Sequence, residues 1–273
     1  MINEKRKNML YELVLWVFSL VVLYPLAMVA ITSFKSYGEA GELNISLPEK
    51  FLLENYKTVF IEGKIFRSFI NSTVITVGSV ILIIMLSSIL AFIITRNGTR
   101  INKVIYNIIV LGIIAPFAAL PTIQLLKTLH IYGSYLSVIL VYTALFIPFS
   151  TMLFSGFVRT IPKELDEAGI IDGCEGISLF YRIIFPLLLP VTVTAAVLNF
   201  MWVWNDFQYP IYLLNSSQKW TLPLSVYNFF GKYNRSWHLV CADMVMVSAP
   251  VILLYLFAQK YIIAGMTAGA IKG

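Results

Sequence analysis

Long apolar runs alternate with short polar ones along the whole chain. The runs fall at about 13–34, 69–95, 104–126, 136–157, 188–211 and 242–264. Each is long enough, as an α-helix, to cross a hydrocarbon core of about 30 Å. A backbone in lipid must satisfy its own hydrogen bonds, so the pattern predicts an all-α, polytopic membrane protein with six transmembrane helices in one domain, 1–273. Pro116 and Pro121 in the third run and Pro148 in the fourth predict kinks within spans rather than ends of spans. The first run follows Lys5-Arg6-Lys7 and exceeds the about 7–15 residues of a signal-peptide core, with no small-x-small site after it. It is expected to remain as an uncleaved span. Between the first two runs, 35–67 is polar and of mixed charge, with a short amphipathic helix starting at Leu53-Glu54-Asn55-Tyr56.

The most charged stretch, 158–187, lies between the fourth and fifth runs. It holds Glu164, Asp166, Glu167, Asp172 and Glu175 against Arg159, Lys163 and Arg182. Pro162 can open a helix, since the first helical residue needs no amide hydrogen. Glu164, Asp166 and Glu167 then crowd the first turns, where the helix dipole favours carboxylates. Gly173 is placed to end that helix in the left-handed conformation. Leu165, Ala168, Gly169 and Asp172 share a face, and two of these are small enough to admit a partner's backbone. Farther on, Ile177, Phe180, Tyr181 and Ile184 share the apolar face of a second, amphipathic helix suited to lying under headgroups. Pro186 and Pro190 lead from it into the fifth run.

Composition agrees with membrane residence. Charged residues make up 12% of the 273, hydrophobic ones 59%, and the mean hydropathy is +0.81. Soluble domains carry about 25% charged residues. The net charge of +6 is that of Lys and Arg at span ends and points to no nucleic-acid partner. Cys174 and Cys241 lie in different contexts, so no disulfide is expected, and no residues have metal-ligand spacing. His130 and His238 stand in short connections, where a lone histidine is a surface residue. No Gly-rich loop ending in Gly-Lys-Ser/Thr is present, so the chain is not expected to hydrolyse ATP itself.

The stretch Ile161-Pro162-Lys163-Glu164-Leu165-Asp166-Glu167-Ala168-Gly169, followed by Ile171-Asp172-Gly173 and then Pro186 and Pro190, resembles the coupling loop of ABC importer permeases. The carbohydrate-uptake, maltose-type branch is the nearest likeness. Three positions depart from it: Gly169 for a second Ala, Cys174 for Ala and Phe185 for Leu. Gly169 should weaken its helix by about 1 kcal/mol relative to Ala. The ending Thr267-Ala268-Gly269-Ala270-Ile271-Lys272-Gly273 is similar to that of one subunit type of the maltose-type pair. Trp204-Asn205-Asp206-Phe207 and Thr221-Leu222-Pro223-Leu224 are weaker matches.

The resemblance implies a permease subunit of an ATP-driven importer of a sugar or oligosaccharide, and no enzyme. It implies a second homologous permease as heterodimeric partner, two ATPase subunits that bind ATP and Mg, and an external sugar-binding protein. Glu164, Glu167, Ala168, Gly169, Asp172 and Gly173 would engage an ATPase. The tail 265–273, with Thr267, Ala268, Gly269, Lys272 and Gly273, would reach between the two ATPases, and the loop after the fifth span would reach the binding protein. The twenty Lys and Arg divide almost evenly between the two sides of a six-span topology. Lys5-Arg6-Lys7 and the coupling loop together place both termini in the cytoplasm of a bacterial plasma (inner) membrane.

Asn199, Trp202, Asp206 and Tyr209 recur at helical spacing in the fifth run, with Phe200, Trp204, Phe207 and Ile211 on another face. Amide, carboxylate and aromatic groups together suit a sugar, which makes Asn199, Trp202 and Asp206 candidate substrate-path residues. An aromatic belt at the membrane boundary explains the same residues without a ligand. An importer of another solute, such as a polyamine, carries a similar loop. A secondary transporter would need an internal inverted repeat and ionisable groups at mid-membrane. An intramembrane enzyme would need a nucleophile–base or metal set. Neither pattern is visible.

Overall fold

The computed structural model describes residues 2–230 and 236–270, and every regular element among them is helical. In chain order these are α1 (Ile2–Thr32), α2 (Tyr37–Ala40), α3 (Glu54–Glu62), α4 (Ile65–Arg96), α5 (Arg100–Leu111), α6 (Ala119–Thr128), α7 (Tyr135–Val158) and α8 (Glu164–Ile171). Next come α9 (Ile177–Leu179), a π turn (Phe180–Ile184), α10 (Phe185–Leu187), α11 (Leu189–Asn205) and α12 (Gln208–Leu213). Two 3-10 turns (Ser217–Lys219 and Leu222–Phe229) and the long α13 (Trp237–Ala270) complete the order. The chain divides into two units, 1–67 with 222–250 and 68–221 with 251–273, so α4 and α13 each pass through a boundary.

Among the described residues, three helices are long and apolar enough to cross a membrane: Val14–Thr32, Ile65–Arg96 and Tyr135–Val158. A fourth crossing results if Ile177–Leu187 and Leu189–Asn205, bent by 80° about Leu188, count together. The other expected spans differ in form for identifiable reasons. The run 104–126 is not one kinked helix but two, α5 and α6, because Gly112–Ala118 leaves the helical path around Pro116. Pro121 falls in the first turn of α6, where a missing amide hydrogen costs nothing. Pro148, by contrast, sits inside an unbroken α7. Its ring presses on Gly112, where a Cβ would come within 2.9 Å of Pro148 Cγ. The run 188–211 is helical only to Asn205, and the last helix starts earlier than expected, at Trp237, so His238 lies in its first turn rather than in a connection.

In the first unit, polar groups fasten the segment after α1. Lys35 is only 1% exposed, and its ammonium donates to Asn44 O (2.9 Å), Asn44 Oδ1 (2.6 Å) and Ser46 Oγ (3.2 Å). Asn55 Nδ2 donates to the carbonyls of Ser33 and Lys35, both at 2.9 Å. Ser36 and Glu39 cap α2 reciprocally. The Glu49 amide, the Ser36 hydroxyl and the Ser36 amide hold the Glu39 carboxyl down to about 2. The expected start of α3 near Leu53 is found, with Leu53 as its N-cap. Asp243, 1% exposed, has the Ser225 hydroxyl 2.8 Å from its Oδ1.

The second unit has two apolar cores. One gathers Ala91, Phe154, Val158, Ile161, Phe180, Ile184, Leu188 and Val191. It joins the ends of α4 and α7 to the loop after α7 and the start of α11. The other gathers Ile75, Leu126, Val138, Tyr142, Val203 and Leu213 around α7. Asn71 of α4 ties the segment after α12 in place: its Nδ2 donates to the carbonyls of Gln218 (3.0 Å) and Trp220 (2.9 Å), and its Oδ1 accepts from Tyr135 OH (2.8 Å).

Candidate functional site: the loop between α7 and α11

α8 starts at Glu164 with Lys163 as N-cap, so Pro162 stands just outside the helix rather than at its first position. Glu164, Asp166 and Glu167 occupy the first turn, as the dipole favours. The helix stops at Ile171 in a Schellman closure: the Gly173 amide donates to Ile170 O (3.0 Å) and the Cys174 amide to Gly169 O (2.9 Å). Gly173 has φ +80°, which a residue with a side chain adopts only at a cost.

The two faces of α8 have different surroundings. Glu164, Leu165, Glu167, Ala168 and Asp172 are exposed, and Ile171 is 85% exposed. Asp166 and Gly169 turn inward. The expectation that Gly169 and Ala168 jointly admit a partner is therefore corrected, because only Ala168 is open to one. Gly169 is buried against this chain's own Leu179 and Ile183. A Cβ there would run into Ile183 Cδ1 and come within 2.6 Å of Leu179 Cδ1. The glycine that departs from the family pattern thus serves internal packing, and its helix-propensity cost is offset by close approach. Ile171 escaped the sequence reading, which followed charge and small size rather than an apolar residue left in water.

The second helical piece also differs. Phe180 and Ile184 are buried, whereas Ile177 and Tyr181 are exposed. A π turn over Phe180–Ile184 inserts a residue into the helical repeat and rotates the apolar stripe, so that Leu179, Phe180 and Ile184 face inward. The face predicted from a uniform 3.6-residue period is therefore not the one formed. The sharp bend at Leu188, flanked by Pro186 and Pro190, turns this piece into α11.

Asp166 meets Arg96, the last residue of α4. Arg96 Nε lies 2.7 Å from Asp166 Oδ2 and Nη2 lies 3.1 Å from Oδ1, while Nη1 donates to Ile161 O at 3.1 Å. The two side chains are 10% and 15% exposed. No local pattern marks this pairing, whose partners stand 70 positions apart.

The three substrate-path candidates do not share a helix face. Asn199 is fully buried in α11, donating to Ser150 Oγ of α7 (3.0 Å) and to Ala195 O (2.8 Å). Trp202 is 38% exposed and packs edge-on against Phe149 and tilted against Phe146. Asp206 lies beyond the end of α11 with extended backbone. Its carboxylate accepts from Tyr142 OH (2.7 Å) and from the Gln208 and Tyr209 amides (3.1 and 3.0 Å), acting as a cap for α12. An Asx-type cap competes with helix continuation, which is why the helical spacing of 199, 202, 206 and 209 misled. At the C-terminus, the backbone of Thr267, Ala268 and Gly269 continues α13, where a separate tail from 265 was expected. The side chains of these three, and Lys272 and Gly273 entirely, lie outside the described residues. No group of three or more potential metal ligands occurs among the residues described.

Residues 83–268 match the family described as binding-protein-dependent transport system inner membrane component. The chain belongs to this family. Relatives in it include the probable starch degradation products transport system permease protein AmyC of Thermoanaerobacterium thermosulfurigenes, 33% identical over 94% of each chain. The melibiose/raffinose/stachyose import permease protein MelC of Bacillus subtilis is 34% identical over 91% of each. The fold is shared with a bacterial ABC transporter involved in import of the acidic polysaccharide alginate, at a TM-score of 0.81 and 20% identity over 95% of this chain and 97% of that one. As a transport-system membrane component, the chain is a multi-pass membrane protein, and the loop between α7 and α11 lies wholly inside the matched region.

Proposed function

We propose that this chain is a permease subunit of an ATP-driven ABC importer of a sugar or oligosaccharide. The observation that carries the reading is relationship over nearly the whole chain to permeases named for transport of starch degradation products and for import of melibiose, raffinose and stachyose. The chain itself performs no covalent chemistry. ATP and Mg are bound by two partner ATPase subunits, a second homologous permease completes a heterodimer, and an external binding protein delivers the sugar.

Six crossings are assigned to α1, α4, the broken pair α5 and α6, α7, α11 with α12, and α13. Both termini and loop 158–187 are cytoplasmic, and 35–67 is external. The open face of α8 meets the ATPase through Glu164, Glu167, Ala168 and Asp172, and Ile171 adds apolar contact beside them. Gly169 and Gly173 shape that face from behind, one by packing and the other by reversing the chain. The tail, including Thr267, Ala268, Gly269, Lys272 and Gly273, also contacts the ATPases. Trp202, with Phe146 and Phe149, lines the sugar path, where an aromatic ring stacks on the C–H face of a sugar. Asn199 and Asp206 hold that wall in position.

The test is uptake into proteoliposomes containing both permeases and both ATPases, with the binding protein and ATP supplied, for labelled maltooligosaccharides and raffinose-type galactosides. ATP-dependent accumulation of at least one is expected. Accumulation of none, by a complex that still takes up another class of solute, would refute the assignment.

A further inference from the structure

The ion pair between Arg96 and Asp166 has a geometry that the outward face of α8 does not explain. Asp166 points away from that face, and its carboxylate accepts from Arg96 Nη2 and lies 2.7 Å from Nε, with both side chains largely shielded from water. Exposed ion pairs contribute little, but a shielded pair with a charge-assisted hydrogen bond constrains the relative position of two elements. The same guanidinium holds the carbonyl of Ile161, before α8. Arg96 therefore grips both the approach to α8 and its first turn. It is also the terminal residue of α4, a 32-residue helix that is long and apolar enough to span the membrane.

α8 is fastened on its other inward point by Gly169, which seats Leu179 and Ile183. Those residues lead through Leu188 into α11. Two connections thus leave the helix, one polar and one apolar, toward two different long helices. The apolar one is sequence-adjacent and unavoidable. The polar one joins residues 70 positions apart directly, whereas the apolar piece reaches α4 only indirectly, through Phe180 packed on Ala91 and Phe92.

We infer that the Arg96–Asp166 ion pair is the direct link through which displacement of α8 is delivered to α4, making both residues positioning residues for energy coupling. The inference rests on the reading of α8 as the ATPase contact. The planar guanidinium holds the Asp166 carboxylate and the Ile161 carbonyl at once from two fixed nitrogens, which a single ammonium cannot do with the same geometry. Arg96→Lys should therefore couple less well than the parent but better than Arg96→Gln.

The experiment uses the whole complex in proteoliposomes and measures ATPase-subunit retention and sugar accumulated per ATP hydrolysed, with Glu167→Ala as control. Arg96→Gln and Asp166→Asn should each retain the ATPases yet lower the transport-to-hydrolysis ratio about ten-fold, the factor for losing one charge-assisted hydrogen bond. The exchanged pair, Arg96→Asp with Asp166→Arg, should couple better than either single exchange. The link is overturned if Arg96→Gln and Asp166→Asn keep the parent ratio, if they shed the ATPases instead, or if the exchanged pair is no better than its single members. If Glu167→Ala leaves both retention and ratio unchanged, the reading of α8 itself fails, a result distinct from failure of the ion-pair link alone.

Discussion

The polar loop 158–187 and the polar stretch 199–209 use similar residue types to opposite ends. In the loop, α8 spends Asp166 and Gly169 internally and leaves Glu164, Glu167 and Asp172 exposed. In the stretch, Asn199 and Asp206 are both engaged by this chain's own groups, and of the three substrate-path candidates Trp202 is the exposed one. Solvent explains the difference. In water a carboxylate without a protein partner costs little, whereas in or near lipid each polar group must find one. The exposed loop carboxylates are therefore open to a partner, whereas the Asn199 amide nitrogen and the Asp206 carboxylate already have partners within the chain. It follows that substitutions of the exposed loop residues should alter coupling with little change in stability, and substitutions of the internally bonded Asn199 and Asp206 the reverse.

The largest effect is expected at Gly173. Gly173→Val forces a β-branched residue to a φ of +80° and should abolish coupled transport or release the ATPases, with the permease still inserted. Glu167→Ala, which leaves the backbone intact, should act in the same direction more weakly. Uptake and ATPase assays on purified complexes rank the two, and parent-like behaviour in Gly173→Val would remove the loop from the mechanism.

Asp206→Ala comes next. It leaves Tyr142 OH and two backbone amides without their acceptor and should destabilise the permease by about 2–3 kcal/mol. Thermal unfolding in detergent measures this. A stable variant with altered sugar dependence would instead place Asp206 in direct contact with substrate. Trp202→Ala should lower transport and sugar-stimulated hydrolysis several-fold while sparing assembly. Unchanged uptake kinetics would return Trp202 to the role of a membrane-boundary aromatic.

The smallest effect concerns pH. The Glu39 carboxyl is held at about 2, below its ordinary 4.5, by the Glu49 amide and the Ser36 hydroxyl and amide. A depressed acid contributes stability that is complete above its unfolded value and is lost as pH falls through the folded one. Opening of the 35–50 segment, followed by protease cleavage, should therefore rise as pH falls from about 4.5 toward 2 in the parent. Glu39→Gln should flatten that rise, and an unchanged profile would detach it from Glu39.

Much of the helical pattern was legible in the sequence because lipid exposure demands long apolar runs, and α1, α4 and α7 follow them. Gly173 was legible because a chain reversal after a helix favours a residue without a side chain. Local hydrogen-bond competition hid other features. The Asp206 cap ended α11 where periodicity ran on, and the π turn at Phe180–Ile184 shifted a face by one residue. At Gly112–Ala118 a proline in an apolar run can kink a helix or end it, and periodicity does not decide which. The Arg96–Asp166 ion pair is a tertiary contact with no local signature. Ile171 looked like an ordinary helix residue until its surroundings were known.

The most direct measurement places one cysteine at Ala168, on the open face of α8, with Cys174→Ser and Cys241→Ser removing the native thiols. In membranes containing the full transporter, this cysteine should cross-link to an ATPase subunit and resist an impermeant thiol reagent added outside intact cells, while a cysteine at Ser36 is labelled from outside. Labelling of Ala168→Cys from outside, with no cross-link to the ATPase, would contradict the account.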